Sequence, residues 1–240
     1  VVDTVGMNSM VGRLMINGAG AICGMAETSR AEFADKPAIA ITEFGFCDTA
    51  AQFIRERLES TFDVISFHAT GIGEMAALDF VRQGRFEAFI DLVPAGFSES
   101  LLGGNRALGP DRFDAGMESG RPYPLAPCGF DMLGCGPIER RDQGDPLWVE
   151  RGLAARQLLI QDAMRVQART TIEEMRHIAI QTATQLNKSK APHLVKFIVP
   201  MRGFSSVSIQ GSALYNPDAD RAFIESLKVS LDKTIEIVEV

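Results

Sequence analysis

Residues 62–84 read Phe62-Asp-Val-Ile-Ser-Phe-His-Ala-Thr-Gly-Ile-Gly-Glu-Met-Ala-Ala-Leu-Asp-Phe-Val-Arg-Gln-Gly84, and they are the most informative segment of the sequence. The apolar run Val64–Phe67 predicts a buried strand, and the apolar face of residues 74–83 predicts a helix. The loop between them contains His68, Thr70, Gly71 and Gly73. Glycine lets the backbone approach a ligand closely, and a helix start offers unpaired N–H groups and a partial positive charge. The unit therefore predicts a strand–loop–helix with a phosphate or carboxylate site in its loop.

The same alternation of strand and helix continues on both sides of this unit. Short apolar runs predict further strands at residues 38–42, 87–92, 122–126, 194–199 and 234–240. Apolar spacing predicts further helices at residues 10–27, 49–59, 98–102, 111–119 and 153–166, then one that starts near residue 171 and one at 217–231. This order indicates a mostly parallel sheet with helices on both faces, a three-layer α/β fold of the Rossmann or flavodoxin type.

Three segments carry local signals that refine this pattern. The two prolines of the predicted strand 122–126 place it at a sheet edge or make it irregular. Residues 127–150 are rich in glycine and proline and predict a long loop, which in a compact domain is functional or partly disordered. Segment 170–174 fits a capping box in two registers, with either Thr170 or Thr171 as the cap, and so predicts a firm helix start.

The composition suits a globular protein with a sizeable core. The chain has 240 residues, of which 46% are hydrophobic and 23% are charged. The net charge of −7 and the lack of a Lys/Arg cluster argue against nucleic acid and membrane surfaces as partners. No apolar run reaches the roughly 18 residues that a membrane span needs, and no signal peptide is visible. We therefore expect a cytoplasmic protein.

Cysteine usage argues against a metal site. The sequence has no C-x-x-C pair, and its three histidines are far in sequence from its cysteines. Cys128 and Cys135 flank a glycine-rich stretch and are candidates for close approach. Reduced structural thiols, as in most cytosolic proteins, are the expected state of all four cysteines.

The first residues are expected to form a separate element. We expect residues 1–30 to hold a linker and a packing helix, and residues 31–240 to form a single α/β domain. Helix 10–27 contains four glycines, and small residues allow close packing against another element. The helix is therefore a candidate docking surface, and a homo-oligomer is expected. The first residue is Val1, not methionine, which favours a fragment or a processed chain.

Polar residues collect at the carboxyl ends of the predicted parallel strands, where open α/β sheets bind ligands. His68 and Glu43 are the candidate catalytic residues. The residues expected to bind an anionic small molecule are Thr42, Thr70, Gly71, Gly73, Asp131, Arg169, Thr170, Thr171, Arg202, Gly203, Ser205 and Ser206. We expect these groups to share one rim of the sheet.

Several candidates also have a structural interpretation. His68 suits general acid–base catalysis or a hydrogen bond to an anion, and equally a hydrogen bond to a loop carbonyl. Glu43 and Asp91 suit a carboxylate pair for acid–base work or Mg²⁺, but solvated strand ends or helix-capping groups are the favoured interpretation. The glycine loop departs from G-x-G-x-x-G because Ala76 takes the last place, a variant that dinucleotide sites also use. A nicotinamide cofactor is not expected.

Seven segments, in order along the chain, carry a resemblance to a known family. They are Gly6-Met-Asn8 with Gly24-Met-Ala-Glu27, Ile41-Thr-Glu-Phe-Gly45, Phe67-His-Ala-Thr-Gly-Ile-Gly73, Cys128-Gly-Phe-Asp-Met132, Arg169-Thr-Thr-Ile-Glu-Glu174, Pro200-Met-Arg-Gly-Phe-Ser205 and Asn216-Pro-Asp-Ala-Asp220. Together they resemble the C-terminal half of the Tm-one-like ATP-binding proteins of bacteria, fungi and plants. The resemblance covers nearly all of the chain, and the family includes a plant protein that confers resistance to a tobamovirus.

The resemblance implies a protein of two α/β parts, with ATP bound by an N-terminal part that this chain lacks. That N-terminal domain is then an expected partner, and no cofactor is assigned to this chain itself. Two departures from the family bear on the site. Asp91-Leu-Val-Pro-Ala-Gly96 stands where the family has Asp-Leu-Thr-Thr-Thr-Glu, which removes hydroxyls, and the chain stops at Val240, before the family's His-Ile-Asn segment.

The expected function combines the residues and the resemblance. We expect the chain to bind an anionic small molecule, for ATP-dependent chemistry together with the N-terminal domain. The alternative is a non-catalytic oligomerisation or docking module.

Overall fold

The computed structural model describes residues 6–28 and 36–240. It divides the chain into two units, one with the first helix and one with residues 36–240, and each is described by itself. The first helix, α1 (Ser9–Glu27), agrees with the predicted span. Its start is capped by Asn8, whose side-chain oxygen accepts hydrogen bonds from the N–H groups of Met10 and Val11.

The second unit alternates strands and helices along its first half and departs from that order in the middle. Its strands are β1 (Ala38–Glu43), β2 (Asp63–His68), β3 (Ala88–Asp91), β4 (Tyr123–Leu125), β5 (Met132–Gly136), β6 (Leu158–Ile160), β7 (Val166–Arg169), β8 (Val195–Val199) and β9 (Glu236–Glu239). Its α-helices are α2 (Asp48–Leu58), α3 (Ile72–Arg82), α4 (Ala95–Leu102), α5 (Asp114–Glu118), α6 (Glu139–Asp142), α7 (Pro146–Glu150), α8 (Ile172–Leu186) and α9 (Pro217–Ser230).

Within residues 36–240, six strands form one parallel sheet in the order β2-β1-β3-β4-β8-β9. The predicted α/β fold with a mostly parallel sheet is confirmed. Ala40 belongs to one buried apolar cluster and its neighbour Ile41 to the other, so both faces of the sheet are covered. The strand order reverses between β1 and β3, which is the place where such sheets bind ligands.

Two strands occupy different places from those predicted. β4 lies inside the sheet, between β3 and β8, and not at an edge. Its prolines fit because β4 is only three residues long and the carbonyl of Pro122 still accepts a hydrogen bond from the N–H of Phe89. β2, predicted as buried, is the edge strand, and Ile65 in it is 37% exposed.

The middle of the chain was predicted wrongly. Residues 127–150 are not one loop, and residues 153–166 are not a helix. This region supplies α6, α7 and a second, antiparallel sheet of order β5-β7-β6. The predicted helix is broken by a turn in which the Asp162 carboxylate accepts the backbone N–H groups of Met164 and Arg165. Local hydrogen bonding at Asp162 therefore outweighs the apolar spacing that suggested a helix.

Helix α8 confirms the capping box in one of its two registers. The Thr171 hydroxyl accepts the N–H of Glu174, and the Glu174 carboxylate accepts the N–H of Thr171. The Thr170 hydroxyl is not free for this role, because it donates to the carbonyl of Phe130 at 2.9 Å. Helix α8 packs closely against α9 and completes the larger apolar cluster.

Candidate functional site

A cleft of about 390 Å³ opens at the carboxyl ends of β1 and β2, beside the point where the strand order reverses. It is lined by Phe44, Gly45, Phe46, His68, Thr70, Asn105, Arg106, Gln161, Arg165, Val166 and Gln167. The main sheet supplies one wall, and the antiparallel sheet with the segment after α4 supplies the other. The volume suits a small metabolite.

The β1 wall is built by a tight turn that follows the strand. Gly45–Cys47 forms a 3₁₀ turn, in which the N–H of Cys47 donates to the carbonyl of Phe44 at 2.9 Å. The rings of Phe44 and Phe46 meet edge to face with centroids 5.2 Å apart. This aromatic pair gives the cleft an apolar floor against which a bound molecule could pack.

The β2 wall presents a histidine and a threonine to solvent. His68 Nδ1 lies 2.9 Å from Thr70 Oγ1, and both residues are exposed. The N–H of Ala69 donates to the carbonyl of Glu43, which holds this loop against the end of β1. His68 and Thr70 are the predicted site residues that line the cleft.

The two glycines of the loop shape the backbone and do not line the cleft. Gly71 has φ +109°, a conformation that other residues rarely adopt. A Cβ atom on Gly73 would lie 2.5 Å from the carbonyl oxygen of His68, so helix α3 starts in direct contact with the strand end. Their role in the structure is therefore to bring α3 close to His68.

The opposite wall presents the guanidinium of Arg106, which several contacts hold in place. Its Nε donates to Glu99 Oε1 at 3.0 Å, and its Nη2 also bonds to Glu99. Glu99 is fully buried and accepts a further bond from the N–H of Gly134 at 2.8 Å. The guanidinium carbon lies 5.7 Å from the ring centroid of Phe44. These contacts fix Arg106 in one place at the edge of the cleft.

The polar surface of the cleft carries cationic side chains and hydrogen-bond donors. Among the described residues that line it there is no aspartate or glutamate, whereas Arg106, Arg165 and His68 offer positive charge or N–H donors. Arg165 is tied to Asp162 by bonds of 2.8 and 2.6 Å at the rim. Gln167 Oε1 accepts from Arg106 Nη2 at 3.4 Å, which ties the segment after α4 to β7 within the same wall. In the described part of the chain, no group of three or more His, Cys, Asp or Glu residues is placed to hold a metal ion.

Thr42, in β1, is buried in a hydrogen-bonded network and does not line the cleft. Its hydroxyl donates to Asp91 Oδ1 at 2.6 Å and accepts the N–H of Val93 at 3.2 Å. Asp91 also accepts from Arg112 Nη2 and from the hydroxyl of Tyr123, each at 2.9 Å. Burial raises the pKa of Tyr123 well above its ordinary value, and Asp91 raises it further. The network is therefore structural.

The suggested Glu43–Asp91 carboxylate pair is absent from the described structure. Asp91 stands opposite Thr42 in the sheet register, and the neighbouring Glu43 faces the other side of the sheet. Glu43 binds Arg55 Nη1 at 2.5 Å. It lies outside the lining of the cleft, so the predicted catalytic residues His68 and Glu43 face different surroundings.

A second group of predicted residues is buried and bonded together. Ser205 Oγ donates to Asp131 Oδ2 at 2.5 Å, and Arg169 Nη1 donates to the carbonyl of Asp131 at 2.7 Å. Arg169 Nη2 also donates to Asp220 Oδ1 at 2.5 Å. Burial raises the pKa of Asp220 to about 6, although Arg169 opposes this. These contacts join β7, α9 and the loops after β4 and β8.

The remaining predicted residues lie outside the lining of the cleft. Arg202 and Gly203 line a separate cavity of about 780 Å³ beside the start of α9. Ser206 is exposed, and its N–H donates to the carbonyl of Phe46 at 2.9 Å. Thr171 caps α8. The predicted residues thus do not share one cavity.

Sequence reasoning missed the wall that faces β1 and β2. Asn105 and Arg106 follow Gly103-Gly104, Gln161 and Arg165 belong to the region predicted as a helix, and Gln167 follows that region directly. The Gly-Gly-Asn-Arg segment was the available signal, since a polar residue after two glycines favours an exposed loop. The antiparallel sheet that positions the other three was not predicted, so no signal placed them near His68.

The comparisons with known proteins show the family. The model of a family described as uncharacterised protein family UPF0261, C-terminal domain, matches residues 36–240. The chain belongs to this family. The resemblance inferred from the seven segments is confirmed, because the relatives include both UPF0261 proteins and a tomato Tm-1 protein.

Individual relatives extend well beyond this chain. A UPF0261 protein of Clostridium tetani is 31% identical over 242 residues, which cover 100% of this chain and 57% of that protein. A UPF0261 protein of Rhizobium meliloti is 30% identical over 234 residues, or 98% of this chain and 56% of that protein. The tomato ToMV resistance protein Tm-1 is 28% identical over 240 residues, or 97% of this chain and 30% of that protein. The chain thus spans little more than half the length of these bacterial relatives.

Proposed function

We propose that the cleft between the β1 and β2 ends and the antiparallel sheet binds an anionic small molecule that carries a carboxylate or phosphate. The observation that carries this proposal is the charge of the lining. Arg106, Arg165 and His68 line the cleft, and no carboxylate is found among its described lining residues. The site lies beside the strand-order reversal, the region where parallel sheets bind ligands.

Arg106 is the proposed anchor for the anion. Its bonds to Glu99 occupy Nε and Nη2, and Nη1 makes no hydrogen bond with a described residue. A guanidinium held on one side by a buried carboxylate is preorganised for a second anion on the other. His68 and Thr70 stand on the facing wall as donors to the same ligand. Phe44 and Phe46 would pack against its apolar part.

A calorimetric titration with phosphate, sulfate and citrate tests the site. Arg165→Gln should weaken binding several-fold, because it removes a cation from the rim of the cleft. Arg221→Gln is a matched control, since both arginines are about two-thirds exposed and each pairs with an aspartate three residues earlier. Binding that is absent, or equal weakening by both variants, would contradict the proposal.

The proposal extends to ATP in the full-length protein. The anion would be the substrate of ATP-dependent chemistry, with the nucleotide carried by the N-terminal domain. The support is the family resemblance together with the additional length of the bacterial relatives. An ATP hydrolysis assay on a full-length family member, with and without candidate anions, checks this step. If no anion stimulates ATP hydrolysis, the ATP-dependent step is excluded and only the anion-binding proposal remains.

A second candidate function is oligomerisation through docking of another copy on α1, and this helix supplies the observation that favours it. Large apolar side chains of this helix are exposed, among them Leu14, Ile16, Ile22 and Met25. In static light scattering, this candidate requires an oligomer whose mass falls towards the monomer in Ile16→Lys. A parent chain that stays monomeric at high concentration would remove it.

A further inference from the structure

Two cysteines meet behind the β1 wall of the cleft. Cys47 ends the 3₁₀ turn that follows β1 and is half-buried, whereas Cys128 follows β4 and is buried. Both pack against the same apolar cluster. The two loops touch, since a Cβ atom on Gly129 would lie 3.7 Å from the ring of Phe44. Residues that are 81 positions apart in sequence are thereby neighbours.

The two thiols share one apolar cluster and differ in character. The hydrogen bond from Cys128 lowers the pKa of Cys47, and the Cys47 thiol itself lies 3.3 Å from the carbonyl of Phe44. Burial raises the pKa of Cys128 well above its ordinary value, and the bond to Cys47 adds to this. Cys47 is therefore the more reactive thiol, because thiolates are the nucleophiles of cysteine chemistry.

We propose that Cys47 and Cys128 are an oxidisable thiol pair, which a peroxide converts into an intramolecular disulfide. The Cys47 thiolate attacks the peroxide, giving a sulfenic acid on Cys47 and one water from hydrogen peroxide. The Cys128 sulfur then displaces the sulfenic hydroxyl, which leaves with a proton as a second water. Overall, two thiols lose two hydrogens and form one S–S bond, while one hydrogen peroxide is reduced to two waters.

The other two cysteines lie in surroundings that do not suit this reaction. Cys23 is exposed on α1, so it is accessible to oxidants without a described thiol beside it. Cys135 is buried, and burial raises its pKa to about 12. Its thiol donates to the carbonyl of Leu133 at 3.2 Å. We expect Cys135 to stay reduced when the pair is oxidised.

Mass spectrometry of the oxidised chain tests the proposal. Cys23→Ser is used as the background, so that disulfides between molecules do not form. After treatment with hydrogen peroxide, the intact mass should fall by two hydrogens and return to its starting value with a reductant. Digestion on the N-terminal side of aspartate separates Cys128 from Cys135, because Asp131 lies between them. The peptide with Cys47 should then be linked to the one with Cys128.

Two variants make the result decisive. Cys47→Ser should abolish the disulfide and leave Cys128 as a free thiol that alkylates after unfolding. Cys128→Ala should stop the reaction at a Cys47 sulfenic acid, which dimedone traps. Free Cys47 and Cys128 after oxidation of the parent chain, or a disulfide that forms with Cys135 instead, would overturn the proposal. The readout is chemical, so it is independent of anion binding in the cleft.

Discussion

Gly73 shows, at the scale of one residue, how a loop can position a site without touching its ligand. The glycine lets helix α3 begin against the end of β2, and a Cβ atom there would lie 2.5 Å from the carbonyl oxygen of His68. Because the obstacle is backbone, it cannot move aside as a side-chain tip does. The glycine loop thus holds His68 at the cleft even though its own N–H groups lie outside the lining.

Gly73→Ala should lower the free energy of unfolding by about 1–3 kcal/mol, the usual cost of forcing extra volume into a packed contact. It should also weaken anion binding, since His68 has to shift. Urea unfolding and calorimetry measure the two effects. Gly45→Ala is the control for stability, because its added methyl group meets only Asp48 at 3.9 Å. Equal stability of the two variants would contradict the assigned role of Gly73.

Asp220 carries a prediction about pH. Its pKa is raised from 3.8 to about 6 by burial, so the folded state favours the protonated form. This group's contribution to stability is therefore complete below pH 3.8 and is lost as the pH rises through 6. One tenfold change in a protonation constant corresponds to about 1.4 kcal/mol, which makes the loss about 3 kcal/mol.

Asp220→Asn should remove this dependence. Relative to the parent chain, the variant should be more destabilised at pH 4.5 than at pH 7, because only the parent gains stability on acidification. Urea unfolding at both values checks this. Asp218→Asn, at an exposed position of the same helical turn, controls for the loss of one negative charge. If Asp220→Asn and the parent chain differ in stability by the same amount at both pH values, the raised pKa assigned to Asp220 is wrong.

At the scale of an element, helix α8 depends on its capping box. Thr171→Ala removes the hydroxyl that accepts the N–H of Glu174, so we expect a loss of about 1 kcal/mol in the free energy of unfolding. Thr184→Ala is the control within the same helix, since Thr184 is exposed and its hydroxyl only bonds back to Ile180. Thermal and urea unfolding compare the two. A larger loss in Thr184→Ala than in Thr171→Ala would refute the assigned register.

The capping box also shows what sequence can and cannot predict about elements. The Thr-Thr-Ile-Glu-Glu segment predicted the start of α8, but two registers fitted equally well. The choice depends on Thr170 bonding to Phe130, a partner 40 residues away that no local pattern reveals. The same limit applies to β5–β7, whose strands pair only through contacts between distant segments. Local signals predicted the parallel sheet because each of its long strands is separately apolar.

At the scale of the full fold, the residues that sequence grouped into one site are distributed between the cleft and buried networks. Parallel strands place their carboxyl ends together, so His68 and Thr70 were found from sequence. The same rule also selected Thr42, Asp131 and Ser205, because it does not tell a polar group that faces solvent from one that is bonded internally. Burial decides between these, and burial depends on the fold as a whole.

Arg112 links helix α3 to strand β3 through two buried ion pairs. Its side chain is fully buried, and it binds Glu74 on α3 and Asp91 on β3. Arg112→Met should cost about 3–5 kcal/mol in urea unfolding, because it leaves two buried carboxylates without their cation. Arg121→Met is the control, since its pair with Glu87 is about half exposed and such pairs contribute about 0–1 kcal/mol. Adding Glu74→Leu to Arg112→Met should restore part of the loss, because it removes one uncompensated charge. If the losses in the free energy of unfolding caused by Arg112→Met and Glu74→Leu simply add in the double variant, Arg112 stabilises the fold by packing alone.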